Sequence, residues 1–270
     1  MMENILEIKN LKKSFGSSGV FKSKKSKTVV DNISFEVKKG EIFGLVGESG
    51  CGKSTTGNLI SKLLNIDDGE IIYKGRNIDR LKGRDLKNMR KNIQMIFQDP
   101  YHSLNPKKNI GWILMEPLII HNMYSKEERR KKILDMLDIA GFDKNFLNKY
   151  PHELSGGQRQ RVAILAALMC EPDFVVADEA VSALDVSVQA QILNFMKKLQ
   201  SKMGLTYLFI SHDLNVVYYM CDRIAVMKEG KIVEIGEAER LYLNPKHPYT
   251  KSLLDAIPGK NNVTLHPDLS

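Results

Sequence analysis

Hydrophobic and polar positions change their period along this chain, and each change marks an element. Around Ile5 to Leu11 the two kinds alternate, and alternation returns at Ile33, Phe35 and Val37. A period of two predicts strands with one buried face and one wet face. Four short, mostly apolar runs follow: Ile42 to Val46 before Gly47, Ile93 to Phe97 before Gln98, Phe174 to Ala177 before Asp178, and Tyr207 to Ile210 before His212. Runs of this kind suit strands of a parallel sheet covered on both faces, with helices between them. Ile133, Leu137 and Ala140 have helical spacing behind Ser125 and Glu128, which are placed as a capping box. Val188, Ile192, Met196 and Leu199 mark a second helical face. Ile224 to Met227 and Lys231 to Ile235, joined through Glu229 and Gly230, read as a hairpin. No internal repeat is evident.

This pattern predicts an α/β protein, and it also says where chemistry should lie. Ligands of open α/β sheets gather outside the carboxyl ends of the strands, and polar residues close each of the four runs. After the first comes Gly47-Glu48-Ser49-Gly50-Cys51-Gly52-Lys53-Ser54, with Thr55 next and a helix predicted from about Lys53. The spacing is that of a phosphate-binding loop. Its glycines let successive N–H groups converge on phosphate oxygens, and the helix N-terminus adds a favourable dipole. Lys53 is expected on the β- and γ-phosphates and the Ser54 hydroxyl on Mg²⁺. Asp178 is expected to hold Mg²⁺ through its water shell. Its neighbour Glu179 is suited to act as general base on the attacking water. His212 is placed to hold that water and Glu179 in line with the γ-phosphate. Gln98 can bind Mg²⁺ or water through its amide oxygen and report γ-phosphate occupancy to the loop that follows.

Composition adds limits. The 270 residues suffice for one large α/β domain with appendages, and a hydrophobic fraction of 43% can fill a sizeable core. The longest unbroken apolar run, Val162 to Cys170, has nine residues, against about 18 or more for a spanning helix. Any membrane connection is therefore expected to run through a partner. The formal charge of +8 suits an acidic partner: nucleotide, nucleic acid or anionic lipid. Cys51, Cys170 and Cys221 have no metal-ligand spacing, and with no secretory signal they point to a reducing cytoplasmic compartment. Ser17 to Lys27 turns from Gly/Ser-rich to lysine-rich and reads as an exposed loop, either solvated or set against lipid headgroups or a membrane partner.

One further motif narrows the reading. Leu154-Ser155-Gly156-Gly157-Gln158 precedes an amphipathic stretch carrying Val162, Leu165 and Met169, and so forms a second potential anion site at a helix start. The order of motifs resembles the ABC ATPase family over nearly the whole chain: Walker A at Gly47 to Ser54, the Q-loop at Gln98, the signature at Leu154 to Gln158, Walker B at Phe174 to Glu179, the D-loop at Ser182 to Asp185 and the switch histidine at His212. The resemblance implies a P-loop NTPase: a RecA-like core with a mainly parallel sheet, an N-terminal antiparallel β-subdomain and an inserted α-helical subdomain at about 100–165. Residues 1–236 would form this domain and 237–270 a C-terminal extension. ATP and Mg²⁺ are the implied cofactors. Two such subunits would pack head to tail, so that Ser155, Gly156, Gly157 and Gln158 act on the partner's ATP. By the same resemblance Phe15 stacks on adenine, a reading preferred to that of a core aromatic.

Phe97 to Pro106 and Asn244 to Pro258 resemble the oligopeptide and dipeptide importer branch, which also takes up nickel and metallophore complexes. That branch implies a distinct second ATPase subunit, two transmembrane permeases, an extracytoplasmic solute-binding protein, and a place on the cytoplasmic face of the cell membrane. Peptide is the preferred solute, with nickel or a metallophore as the alternative. A soluble ABC ATPase acting on nucleic acid ranks lower, because its usual coiled coils, cysteine clusters and tandem domains are missing; no nucleic acid partner is expected. Ala166 stands where many members have arginine, and Ala180-Val181 replaces a frequent Pro-Thr. No cysteine follows Cys221, so no iron–sulfur tail is expected.

Overall fold

The computed structural model describes residues 3–16, 26–99 and 103–256. Most of the lysine-rich loop (17–25), residues 100–102 of the loop after Gln98, and the tail from 257 lie outside the described residues. Strands β1 (Asn4–Phe15) and β2 (Lys27–Lys38) pair antiparallel, and β4 (Asp68–Tyr73) and β5 (Arg76–Asn77) extend them into a sheet of order β2-β1-β4-β5. The alternation at Ile33, Phe35 and Val37 is the buried face of β2.

The second sheet holds β3 (Ile42–Val46), β6 (Ile93–Ile96), β7 (Phe174–Asp178), β8 (Thr206–Ser211), β9 (Arg223–Lys228) and β10 (Lys231–Glu237), in the order β10-β9-β3-β8-β7-β6. The four apolar runs are β3, β6, β7 and β8, and all pair in parallel. The hairpin is present as β9 and β10, but its first strand also joins the parallel set beside β3.

Why these runs lack alternation is visible in the two cores. Ile42 and Val46 of β3 face one hydrophobic cluster, Phe43 and Leu45 the other. In β8, Tyr207 and Phe209 face the first and Leu208 and Ile210 the second. The antiparallel sheet and α1 (Lys53–Ile60) cover one side; helices cover the other. With both faces dry, every position favours an apolar side chain, each worth about 1.5–3 kcal/mol when fully buried.

After α2 (Gly83–Asn92) and β6, the chain forms α3 (Ile110–Ile120), α4 (Lys126–Ile139), short 3₁₀ turns at Lys144–Asn148 and Pro151–Glu153, and α5 (Gly156–Leu168). The predicted capping box starts α4: Ser125 N donates to Glu128 Oε2 at 2.8 Å, and Glu128 N to Ser125 Oγ at 3.3 Å. Ala140 and Met169 are buried C-caps, just beyond the helices their spacing marked. α6 (Val186–Met203) lies between β7 and β8, and α7 (Leu214–Met220) precedes β9. The chain then closes with α8 (Ala238–Leu243) and α9 (Pro248–Asp255), whose Tyr242, Tyr249 and Leu254 are buried in the helical-side core. Among the described residues, no helix is long and apolar enough to cross a membrane.

Candidate functional site

The chain leaves β3 at Val46 and turns at once into the glycine loop. A Cβ at Gly47 would stand 2.1 Å from the Met227 carbonyl oxygen, so the loop can leave the sheet here only without a side chain. Gly52 caps α1 in the left-handed region at φ 114°, where a Cβ would stand 2.4 Å from the Val29 carbonyl oxygen of β2. Between them Glu48, Ser49 and Gly50 are exposed while Cys51 is buried. The loop is tied to the β9–β10 turn, where Gly230 N donates to Cys51 O at 2.9 Å.

Lys53, only 3% exposed, turns back under the loop. Its Nζ donates to Gly47 O at 2.7 Å and Glu48 O at 2.8 Å. The ammonium is thus held beneath the N–H groups of the loop, where a phosphate oxygen offers a stronger, charge-assisted partner. Burial pushes the nearby Cys51 thiol up, against the lowering effect of Lys53, which keeps it a neutral packing group.

Ser54 begins the helix beside the end of β7, and its hydroxyl donates to Asp178 Oδ1 at 3.0 Å. Burial raises the Asp178 carboxyl above its ordinary range; the Ser54 hydrogen bond opposes this, the Glu179 charge adds to it, and Lys53 lowers it. A 3.0 Å separation also suits adjacent oxygens around a small octahedral cation, whose ligands at about 2.0–2.1 Å lie roughly 2.9 Å apart. A hydroxyl and a carboxylate oxygen at this spacing therefore fit a hard divalent ion.

Glu179 follows with φ 48°, the left-handed region that a glutamate rarely occupies. Its N–H donates to Ile210 O of β8 at 2.9 Å, and its carbonyl accepts Ser182 N at 3.1 Å and Ser182 Oγ at 3.0 Å. The turn Glu179–Ser182, with Ala180 and Val181 buried beneath it, holds the backbone there. His212 Nδ1 lies 3.3 Å from Glu179 Oε2; the histidine is half exposed and the glutamate side chain mostly buried. Strain of this kind costs about 1–3 kcal/mol and persists where surrounding structure over-determines it, often at functional sites.

Lys53, Ser54, Asp178, Glu179 and His212 are therefore brought together at the carboxyl ends of β3, β7 and β8. Gln98 is exposed after β6, the edge strand next to β7. Phe15 ends β1, 45% exposed, with Lys13 Nζ 5.6 Å from its ring centroid. It pairs with Lys27, two residues from Val29, so its ring is an exposed rim aromatic on the loop side rather than a core residue. Thr55 is partly buried in the first turn of α1.

The signature segment differs from expectation in one respect. Gly156, Gly157 and Gln158 do not precede the helix but form its first turn, with Ser155 as N-cap. The cause is a capping box: Gln158 N donates to Ser155 Oγ at 3.3 Å and Ser155 N to Gln158 Oε1 at 3.0 Å. The Ser155 hydroxyl keeps its proton for an acceptor outside the helix. Sequence reasoning missed Tyr249, whose hydroxyl accepts Glu48 N at 3.4 Å. The run Asn244 to Pro258 was its signal, but no local pattern says that it reaches the loop.

A family model described as "ABC transporter" matches residues 30–182, and one described as "Oligopeptide/dipeptide transporter, C-terminal region" matches residues 233–266. The chain is 52% identical over 267 residues to the oligopeptide transport ATP-binding protein OppF of Streptococcus mutans, covering 97% of this chain and 85% of that one. It is 50% identical over 240 residues to the dipeptide transport ATP-binding protein DppF of Haemophilus influenzae, covering 89% and 73%. In structure it resembles the dimeric, post-hydrolysis ATP-binding cassette MJ0796 bound to ADP and Pi, at TM-score 0.75 and 31% identity over 86% of this chain and 98% of that one. The fold expected from the motifs, a P-loop NTPase, is the one observed. With half its residues shared over nearly its full length, the chain belongs to the ABC transporter family.

Proposed function

We propose that this protein is the ATP-hydrolysing subunit of a multi-subunit importer for oligopeptides or dipeptides. The observation that carries the hydrolytic reading is Glu179: a carboxylate held in the left-handed region by Ile210 and Ser182, beside His212 and directly after the carboxylate that meets Ser54. The peptide class is supported by the C-terminal match and by relatives named as oligopeptide and dipeptide transport proteins.

In this reading the loop from Gly47 to Thr55 binds the triphosphate through the Lys53 ammonium and through N–H groups other than those of Glu48 and Cys51, which are bonded within the protein, and Phe15 covers adenine. Ser54 and Asp178 would hold Mg²⁺, with Gln98 completing the set, and the ion would neutralise charge developing on the phosphate oxygens. Glu179 takes the proton of the attacking water, and His212 orients the carboxylate through the contact at 3.3 Å. The Ser155 hydroxyl and the first-turn N–H groups at Gly156 and Gly157, with Gln158 holding Ser155 through the capping box, act on the γ-phosphate held by a second ATPase subunit packed head to tail, a distinct paralogue of this chain. The relation to a dimeric cassette supports that arrangement.

Residues 1–236 are the nucleotide-binding domain and 237–270 its extension, with the helical insert at about 100–165 turned to two permease subunits and an extracytoplasmic binding protein completing the importer. The subunit then sits at the cytoplasmic face of the membrane through the permeases. Glu179→Gln in the reconstituted complex tests the scheme: ATP is expected to bind and hold the ATPase subunits together while hydrolysis stalls. Rates like those of the unsubstituted complex would remove Glu179 as the base.

A further inference from the structure

The C-terminal segment does more than pack against the domain. From its geometry we infer that Tyr249 is a positioning residue for nucleotide: its hydroxyl anchors the Glu48 peptide and so holds the mouth of the phosphate-binding loop in its receiving shape. The inference rests on the nucleotide reading of that loop and assigns a role to the segment after β10.

The Glu48 peptide is gripped at both ends. Its N–H donates to Tyr249 Oη at 3.4 Å, while its carbonyl accepts Lys53 Nζ at 2.8 Å and Cys51 N at 3.3 Å. Lys53 is the group that turns to phosphate, since an anionic oxygen outcompetes a neutral carbonyl for an ammonium. The Lys53 bond to the Glu48 carbonyl is thus shared with the ligand, whereas the Tyr249 bond to the Glu48 N–H is not, and it ties Glu48 to the C-terminal segment whether or not phosphate is bound. Glu48 itself is exposed, and its side chain also meets the Tyr249 hydroxyl.

Tyr249 is in turn placed by several elements. Glu234 of β10 accepts Lys246 N at 2.8 Å and His247 N at 3.0 Å, fixing the turn into α9. His247 Nδ1 caps that helix by accepting Tyr249 N at 3.1 Å. Lys228 of β9 sets its ammonium 4.7 Å from the tyrosine ring centroid. The residue is only 7% exposed, and burial pushes its hydroxyl above the ordinary phenol range, which keeps it protonated near neutral pH. A tyrosine serving the core alone would need its ring; here the hydroxyl is aimed at the loop.

Tyr249→Phe separates the two roles, because it keeps the ring and removes only the oxygen. In the full chain, equilibrium binding of Mg·ATP to Tyr249→Phe is expected to weaken about three- to ten-fold, the range for one neutral hydrogen bond. In the assembled complex KM for ATP should rise by the same factor with kcat within two-fold, and the nucleotide-free melting temperature should stay within about 1 °C of the unsubstituted protein. Glu234→Gln, which slackens the turn that presents Tyr249, should shift ATP binding in the same direction by a smaller factor. Tyr249→Phe that binds ATP as the unsubstituted chain does, or that loses kcat and stability with KM unmoved, overturns the inference and leaves a packing role. Failure of the unsubstituted chain to bind Mg·ATP at all would instead sink the nucleotide reading of the loop.

Discussion

At Glu179, function and stability should pull apart. The residue sits at φ 48°, where a side chain other than glycine's costs roughly 1–2 kcal/mol. Glycine avoids that cost and gives back about 0.5–1 kcal/mol through its greater backbone entropy in the unfolded chain. Losing the carboxylate also removes the contact with His212, but that histidine is 52% exposed, and a screened pair of this kind is worth a few tenths of a kcal/mol at most. Glu179→Gly should therefore be as stable as the unsubstituted protein or more so, by about 0–1 kcal/mol, a rise of roughly 0–3 °C in Tm for a domain of this size. Glu179→Gln keeps the backbone strain and the side-chain volume, and its Tm should not move by more than about 1 °C. Both variants should lose ATP hydrolysis by about 100- to 10,000-fold in the assembled complex, the usual contribution of a positioned base. Thermal denaturation followed by circular dichroism, with phosphate release measured in parallel, reads both quantities. If Glu179→Gly melted more than about 3 °C below Glu179→Gln, the backbone would not be strained there. Hydrolysis within ten-fold of the unsubstituted rate in either variant would remove the base.

Other expectations follow from the same cluster. Burial holds the Asp178 carboxyl above its ordinary range, so the folded chain binds that proton more tightly than the unfolded chain. Stability from this group therefore falls as pH rises from the unfolded value of 3.8 through the folded one, and the full penalty is present once pH is above the folded value. Asp178→Asn should then raise Tm at pH 7, with the gain shrinking as pH approaches 4 in a calorimetric series, while turnover falls about 100-fold or more. Lys53→Ala removes a buried ammonium whose charge-assisted bonds are worth about 1.5–3 kcal/mol, so calorimetric titration should show ATP bound roughly 10- to 150-fold more weakly.

How legible the site was depended on where its contacts lie in the chain. The glycine loop could be read because phosphate binding there uses consecutive backbone N–H groups, and the residues that permit it must follow one another. Asp178 and Glu179 were legible for a related reason: a buried strand that ends in two carboxylates breaks its own pattern. The capping box at Ser155 was present in the letters S-G-G-Q, yet the helix start was read too late, since a glycine pair reads as loop until the cap that holds it is seen. Phe15 is assigned to adenine only through the family resemblance, because alternation along β1 does not say which end of the strand faces the loop.

From the sequence alone came the half-buried strands near the N-terminus, the buried parallel strands, the helical stretches, the phosphate loop and the chemistry of its neighbours, all set by short-range period and spacing. Tertiary structure alone decided that Ser54 meets Asp178 across 124 residues, that Glu179 is held left-handed by a carbonyl of β8, and that Tyr249 reaches Glu48 across 201 residues. The reason is strand order: β7, β8 and β9 reach β3 in an arrangement settled by burial on both sheet faces, and no local pattern encodes which strands become neighbours.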